Sequence, residues 1–176
     1  MKPSLDDVLE GAIATFGSQK RLAERAIAQL SDEKLGEPLD GNTNSVAVIM
    51  KHMAGNMLSR WTDLLTSDGE KPWRDRDGEF VDAFTSREEI QEFWERGWKC
   101  LFETLSTLGG EDLNRIVRVR GREYTVIRAI ERQMSHYGYH VGQIVLTARL
   151  LAKENWQTLT VPRGGSKEFN QRMSET

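Results

Sequence analysis

Apolar residues recur every three or four positions in four stretches of the chain. Each stretch predicts an amphipathic helix. The first covers residues 5–30, with Leu5, Leu9, Ala12, Phe16, Ala23, Ile27 and Leu30 along one face. Ser4 stands as its N-cap, and Asp6 and Asp7 in the first turn oppose the helix dipole. The second covers residues 45–65, with Val46, Ile49, Met50, Met53, Met57, Trp61 and Leu64. Asn44 or Ser45 caps it, and Ser67-Asp68-Gly69 closes it. The third covers residues 87–108, with Ile90, Trp94, Trp98, Leu101 and Leu105. Ser86 followed by Glu89 reads as a capping box, and Gly109-Gly110 as the stop. The fourth covers residues 125–152, with Ile127, Ile130, Met134, Tyr137, Val141, Ile144 and Leu151.

Between the third and fourth helices, β-branched and charged residues alternate around Gly121, which predicts a small hairpin. Two connections are long, residues 31–43 and 66–85. Connections of that length in a compact domain are often functional or structured in themselves. From about residue 157 the tail, with Pro162, Gly164 and Gly165, reads as irregular. Four helices of this length predict an all-α four-helix bundle with a β-hairpin between helices three and four. The whole span, residues 1–176, reads as one domain.

A chain of 176 residues buries enough surface to fold without a disulfide or zinc staple. The formal net charge of -3 argues against nucleic-acid binding and a polybasic membrane anchor. No apolar run is long enough to span a membrane, and Asp6, Asp7 and Glu10 interrupt any signal-peptide pattern. The single cysteine, Cys100, excludes an intrachain disulfide and a cysteine-based zinc site. The expected compartment is the cytoplasm.

The chain has only three histidines. His136 and His140 stand four apart on the fourth helix, so they share a face, about 6 Å apart along the axis. That spacing lets two imidazoles reach one metal ion. His52 lies midway along the second helix, on a turn beside the apolar stripe. A facing helix in a bundle can supply a third ligand, but spacing alone does not say that helix two faces helix four. The competing reading for each histidine is a hydrogen-bonded core or rim residue.

The segment His136-Tyr137-Gly138-Tyr139-His140-Val141-Gly142-Gln143-Ile144 matches a His-x-x-x-His-x-Gly-Gln pattern. With Ile49-Met50-Lys51-His52-Met53-Ala54-Gly55-Asn56 and the order of elements, it makes the chain resemble the DinB/YfiT-like superfamily, a group classed as metalloenzymes, in its DUF1572 branch. The resemblance covers nearly the whole chain. It implies an up-down-down-up bundle, which accounts for the long connection at 66–85. It also implies one divalent metal, nickel or zinc with iron as a further option, on His52, His136 and His140. Many relatives form homodimers. Characterised ones include thiol-dependent S-transferases and an isomerase that uses a low-molecular-weight thiol.

Three neutral imidazoles leave a divalent ion its full charge and open coordination positions, which is a catalytic pattern. Such an ion polarises an oxygen, lowers the pKa of a bound water toward about 7, or holds a thiolate. The site faces offer no carboxylate for proton transfer: they continue through Gln133 and Gln143 on helix four and through Ser45, Asn56 and Ser59 on helix two. Asp63 lies about 16 Å along the helix from His52, out of reach. Asn56 and Gln143 are therefore the candidates for orienting substrate or ligand, against a reading as rim polar residues. Tyr137 and Tyr139 read as packing residues, and Cys100 is not expected to act as a nucleophile. Arg115, Arg118, Arg120, Arg122 and Arg128 either steer an anionic substrate or form a solvated edge. The expected function is a metal-dependent transferase or hydrolase acting on a small molecule with a thiol. The alternatives are a non-catalytic metal-binding or stress-response protein and a bundle that holds no metal.

Overall fold

Each of the four long helices starts where a hydroxyl side chain can take up a free backbone N–H. The computed structural model describes residues 4–81, 84 and 86–174. Helix α1 spans Leu5–Ile27, and Ser4 and Asp7 close a reciprocal capping box ahead of it. After a short α2 (Asp32–Gly36) comes α3 (Val46–Trp61), capped by Ser45. Helix α4 (Arg87–Ser106) is capped by Ser86, and α5 (Val126–Ala152) by Thr125. Strands β1 (Ile116–Val119) and β2 (Arg122–Thr125) pair antiparallel between α4 and α5. Arg120 and Gly121 form their two-residue loop, both with positive φ (55° and 71°), as a tight hairpin turn requires.

The contacts fix the helix directions. Lys20 on α1 reaches Glu95 on α4 at 2.9 Å, while Arg87, at the start of α4, donates to Leu30 O beyond the end of α1. Those two helices are antiparallel. Ala54 of α3 faces Gly97 of α4, and Thr104 Oγ1 donates to Trp61 O at 2.9 Å, so α3 and α4 run parallel. The rings of His52 and His140 lie 4.8 Å apart, and Trp61 Nε1 donates to the Tyr137 hydroxyl at 3.1 Å. Helices α3 and α5 are therefore antiparallel. The result is the expected up-down-down-up bundle of α1, α3, α4 and α5, with residues 62–81 running back along α3 to Glu79 beside His52 and Val81 beside Lys51.

The core is aromatic and sulfur-rich. Phe16, Met50, Met53, Met57, Trp61, Trp94, Trp98 and Tyr137 are fully buried. Gly97 lets α4 approach α3 closely, because a Cβ there would stand 2.8 Å from Ala54 Cα. No helix among the described residues is long and apolar enough to cross a membrane.

The structure refines three local readings. Helix α3 stops at Trp61, because Thr62 turns to extended backbone and Asp63 takes a positive φ of 51°. The 31–43 connection holds α2, which Ser31 caps and whose Leu35 plugs into the core. The tail, read as irregular, carries α6 (Ser166–Ser174). That helix follows a Pro162–Gly165 turn and buries none of its residues, so it leaves no core-facing stripe in the sequence.

Candidate metal centre

Helices α3 and α5 meet over a hydrogen-bonded seam. The buried Tyr137 hydroxyl accepts from Trp61 Nε1 and donates to Asn56 Oδ1, both at 3.1 Å. Burial holds that phenol well above its ordinary pKa, so it stays a donor. One turn away, His52 on α3 faces His136 and His140 on α5. His52 Nε2 lies 3.4 Å from His136 Nε2, which lies 3.2 Å from His140 Nε2. One nitrogen from each ring can be chosen so that all three lie within 4.8 Å of one another. Nitrogens about 2.0–2.1 Å from a tetrahedral ion stand roughly 3.3 Å apart, close to the two separations that involve His136 Nε2.

The far side of each ring decides whether those lone pairs are free. His52 Nδ1 donates to Glu79 Oε2 at 2.9 Å, and His140 Nδ1 donates to Gln143 Oε1 at 2.7 Å. A carboxylate and an amide carbonyl only accept, so each holds the proton on Nδ1 and leaves Nε2 bare. Gln143 Nε2 in turn donates to the Tyr139 hydroxyl at 3.2 Å. His136 Nδ1 is buried and has no hydrogen-bond partner among the described residues.

The electrostatics favour the neutral form of the two α5 rings. Burial, reinforced by the neighbouring His140 and His52, pushes His136 down to about 3. Burial also lowers His140, although its bond to Gln143 opposes the shift. His52 is buried, while His136 and His140 are half-buried. Exposed Phe80 stacks on His52 at 4.8 Å, and exposed Tyr139 stands 5.0 Å from His140. Two exposed aromatic rings thus flank the cluster.

The structure adds a group that periodicity could not reveal. Glu79 comes from the 62–86 connection, and both of its oxygens are engaged. Arg74 Nε donates to Oε1 at 2.7 Å and Arg74 Nη2 to Oε2 at 2.8 Å, beside the bond from His52. Burial alone would raise the Glu79 carboxyl, but the bonds from His52 and Arg74 and the charge of Arg74 hold it below the usual carboxylate range. The length of this connection is the one sequence signal that points here.

Most of the remaining polar candidates have other partners. Asn56 is buried and gives its Oδ1 to Tyr137. Ser45 caps α3, and Ser59 Oγ donates to Gly69 O at 2.7 Å. Gln133 is buried one turn from His136, beside Arg60 and Trp61, and Asp63 is exposed in the turn after α3. Cys100 is half-buried, 3.5 Å from Thr62 Oγ1. Several of the hairpin arginines are ion-paired: Arg115 with Asp112, Arg118 with Glu123 and Arg120 with Glu70.

Taken together, His52, His136 and His140 bring three ring nitrogens within 4.8 Å of one another and could hold a metal. Neither a curated protein nor a solved structure matches the chain. A family model described as "Protein of unknown function (DUF1572)" matches residues 5–165, which takes in the four bundle helices, the hairpin and all three histidines. The chain belongs to the DUF1572 family.

Proposed function

We propose that this protein is a divalent-metal-dependent enzyme of the DinB-like kind, with His52, His136 and His140 as the metal ligands. One observation carries the reading: three imidazole Nε2 atoms converge, and acceptors behind two of the rings hold the tautomer that leaves Nε2 free. Nickel or zinc suits an all-imidazole set, and iron is a further option. A bound ion would supply Lewis-acid chemistry, polarising a substrate oxygen or stabilising a thiolate. The chain's own groups hold and shape the site. Gln143 orients His140, Asn56 aligns α3 with α5 through Tyr137, and Phe80 and Tyr139 frame the approach. The reaction is transfer to, or hydrolysis of, a small molecule, with a low-molecular-weight thiol as co-substrate. Such thiols are kept reduced in the cytoplasm, where we place the activity. The assembly is a homodimer, for which Leu146 and Leu150, exposed on α5, offer apolar area.

The test is metal content and turnover of untagged protein. Stoichiometric metal, and activity with a thiol and an electrophile that the His136→Ala variant lacks, support the proposal. Less than about 0.1 metal per chain after reconstitution overturns it.

A second reading, a non-catalytic metal-binding or stress-response protein, has one observation in its favour. Glu79, the carboxylate beside the cluster, has both oxygens occupied and a lowered pKa, so it is a poor general base. Bound metal without turnover across broad thiol and hydrolase panels selects that reading.

A further inference from the structure

Resting on the metal reading above, we infer that the Arg74–Glu79 pair is a positioning clasp for His52, by which the connection between α3 and α4 sets how tightly the cluster retains its metal.

The pair sits where a purely structural ion pair has little reason to be. The Glu79 side chain is 7% exposed and that of Arg74 2%. Removing both charges from water is costly, and such a pair adds little stability compared with apolar side chains of the same volume. Here the carboxylate does more than neutralise Arg74, because Oε2 also accepts the Nδ1–H of His52 at 2.9 Å. A carboxylate on the far nitrogen of a metal-binding histidine fixes the ring and its tautomer and makes Nε2 a stronger donor.

The surroundings are shaped around that carboxylate. Gly55, one turn along α3 from His52, leaves room for it: a Cβ there would stand 2.9 Å from Glu79 Cδ and closer still to Oε1. A glutamate tip on the surface could move aside. This one cannot without giving up Arg74 or His52. Asp75 Oδ1 accepts from Gly78 N at 2.9 Å, steadying the turn that presents Glu79. The next residue, Phe80, stacks on the His52 ring. Arg74 lies 3.9 Å from Glu70, which is bonded to Arg60 at 3.0 Å and to Arg120 of the hairpin loop at 2.9 Å. The clasp is thus tied to α3 and to the hairpin.

The experiment measures zinc affinity by chelator competition and the visible spectrum of the cobalt-substituted protein, with metal-free melting as the control for folding. Glu79→Gln is expected to weaken zinc binding about 10–100-fold and to shift the cobalt bands, and Gly55→Ala to act in the same direction. If Glu79→Gln also lowers the metal-free melting temperature, the double variant Arg74→Met/Glu79→Met restores an apolar, neutral seat. It is expected to fold well and still bind zinc weakly. Wild-type zinc affinity in either variant, with wild-type cobalt bands, overturns the clasp while leaving the three-histidine site intact. Wild-type protein that binds no zinc, cobalt or nickel overturns the metal reading and the clasp together.

Discussion

The hydroxyl of Tyr137 on α5 donates to Asn56 Oδ1 on α3 at 3.1 Å while accepting from Trp61 Nε1. All three side chains are buried, and the two bonds pin the helices that bear the histidines. Tyr137→Phe keeps the ring packing against Phe16 and Trp98 but strands an indole N–H and an amide oxygen. A loss of about 1–3 kcal/mol in metal-free stability is expected. Urea unfolding checks it, and an unchanged midpoint would show that the seam is not held by this hydroxyl.

Gly97 marks the closest approach of α3 and α4. A Cβ there would meet the Ala54 backbone, 2.8 Å from Cα and 3.2 Å from the carbonyl oxygen. Backbone cannot yield as a side-chain tip can, so Gly97→Ala should force the parallel pair apart. The expected cost is about 1–3 kcal/mol, despite alanine's better helix propensity. Thermal melting checks the sign: a stabilised variant would contradict the close packing.

Features set by neighbours along the chain are legible from the residues themselves. Ser4, Ser45 and Ser86 cap the helices they precede, and the hairpin turns at Arg120-Gly121, because caps and tight turns depend on a few adjacent residues. The His136–His140 pair is equally legible, since helical pitch alone puts both on one face. The place of His52 follows from family resemblance, because no local pattern says which helix α3 packs against. Glu79 is hidden for a stronger reason. Its connection has no periodicity, and its role exists only once Arg74, Gly55 and His52 come together. Helix α6 escapes because it buries nothing.

Acid should destabilise the metal-free protein, and the direction follows from the histidines. His136 is held down to about 3 and His140 is lowered too, whereas the unfolded chain takes up these protons near 6.5. Above 6.5 neither state is favoured by protonation, and the fold keeps its full stability. As pH falls below 6.5 the unfolded state gains protons that the folded state refuses, so stability drops toward about pH 3. Glu79 pulls the same way at lower pH: its carboxyl is held below 4.5 in the fold, so its contribution is lost as pH falls through the folded value. Urea midpoints between about pH 7.5 and about pH 5 should decline in the metal-free protein, and His136→Phe should flatten that decline. A wild-type profile already flat over this range would mean that the histidines protonate within the fold.

The last prediction separates two uses of Gln143. Its Oε1 accepts from His140 Nδ1 at 2.7 Å and its Nε2 donates to the Tyr139 hydroxyl. If its work is to orient the ligand, removing it should loosen metal binding. If its work is to hold substrate, metal affinity should stay and only KM should rise. The geometry favours the first, since both polar ends already have protein partners. Gln143→Leu is therefore expected to weaken zinc binding about tenfold, less than His140→Ala, which removes a donor outright. Gln143→Glu keeps an acceptor in place and is expected to recover the affinity. Wild-type affinity in Gln143→Leu with a raised KM would instead assign the amide to the substrate.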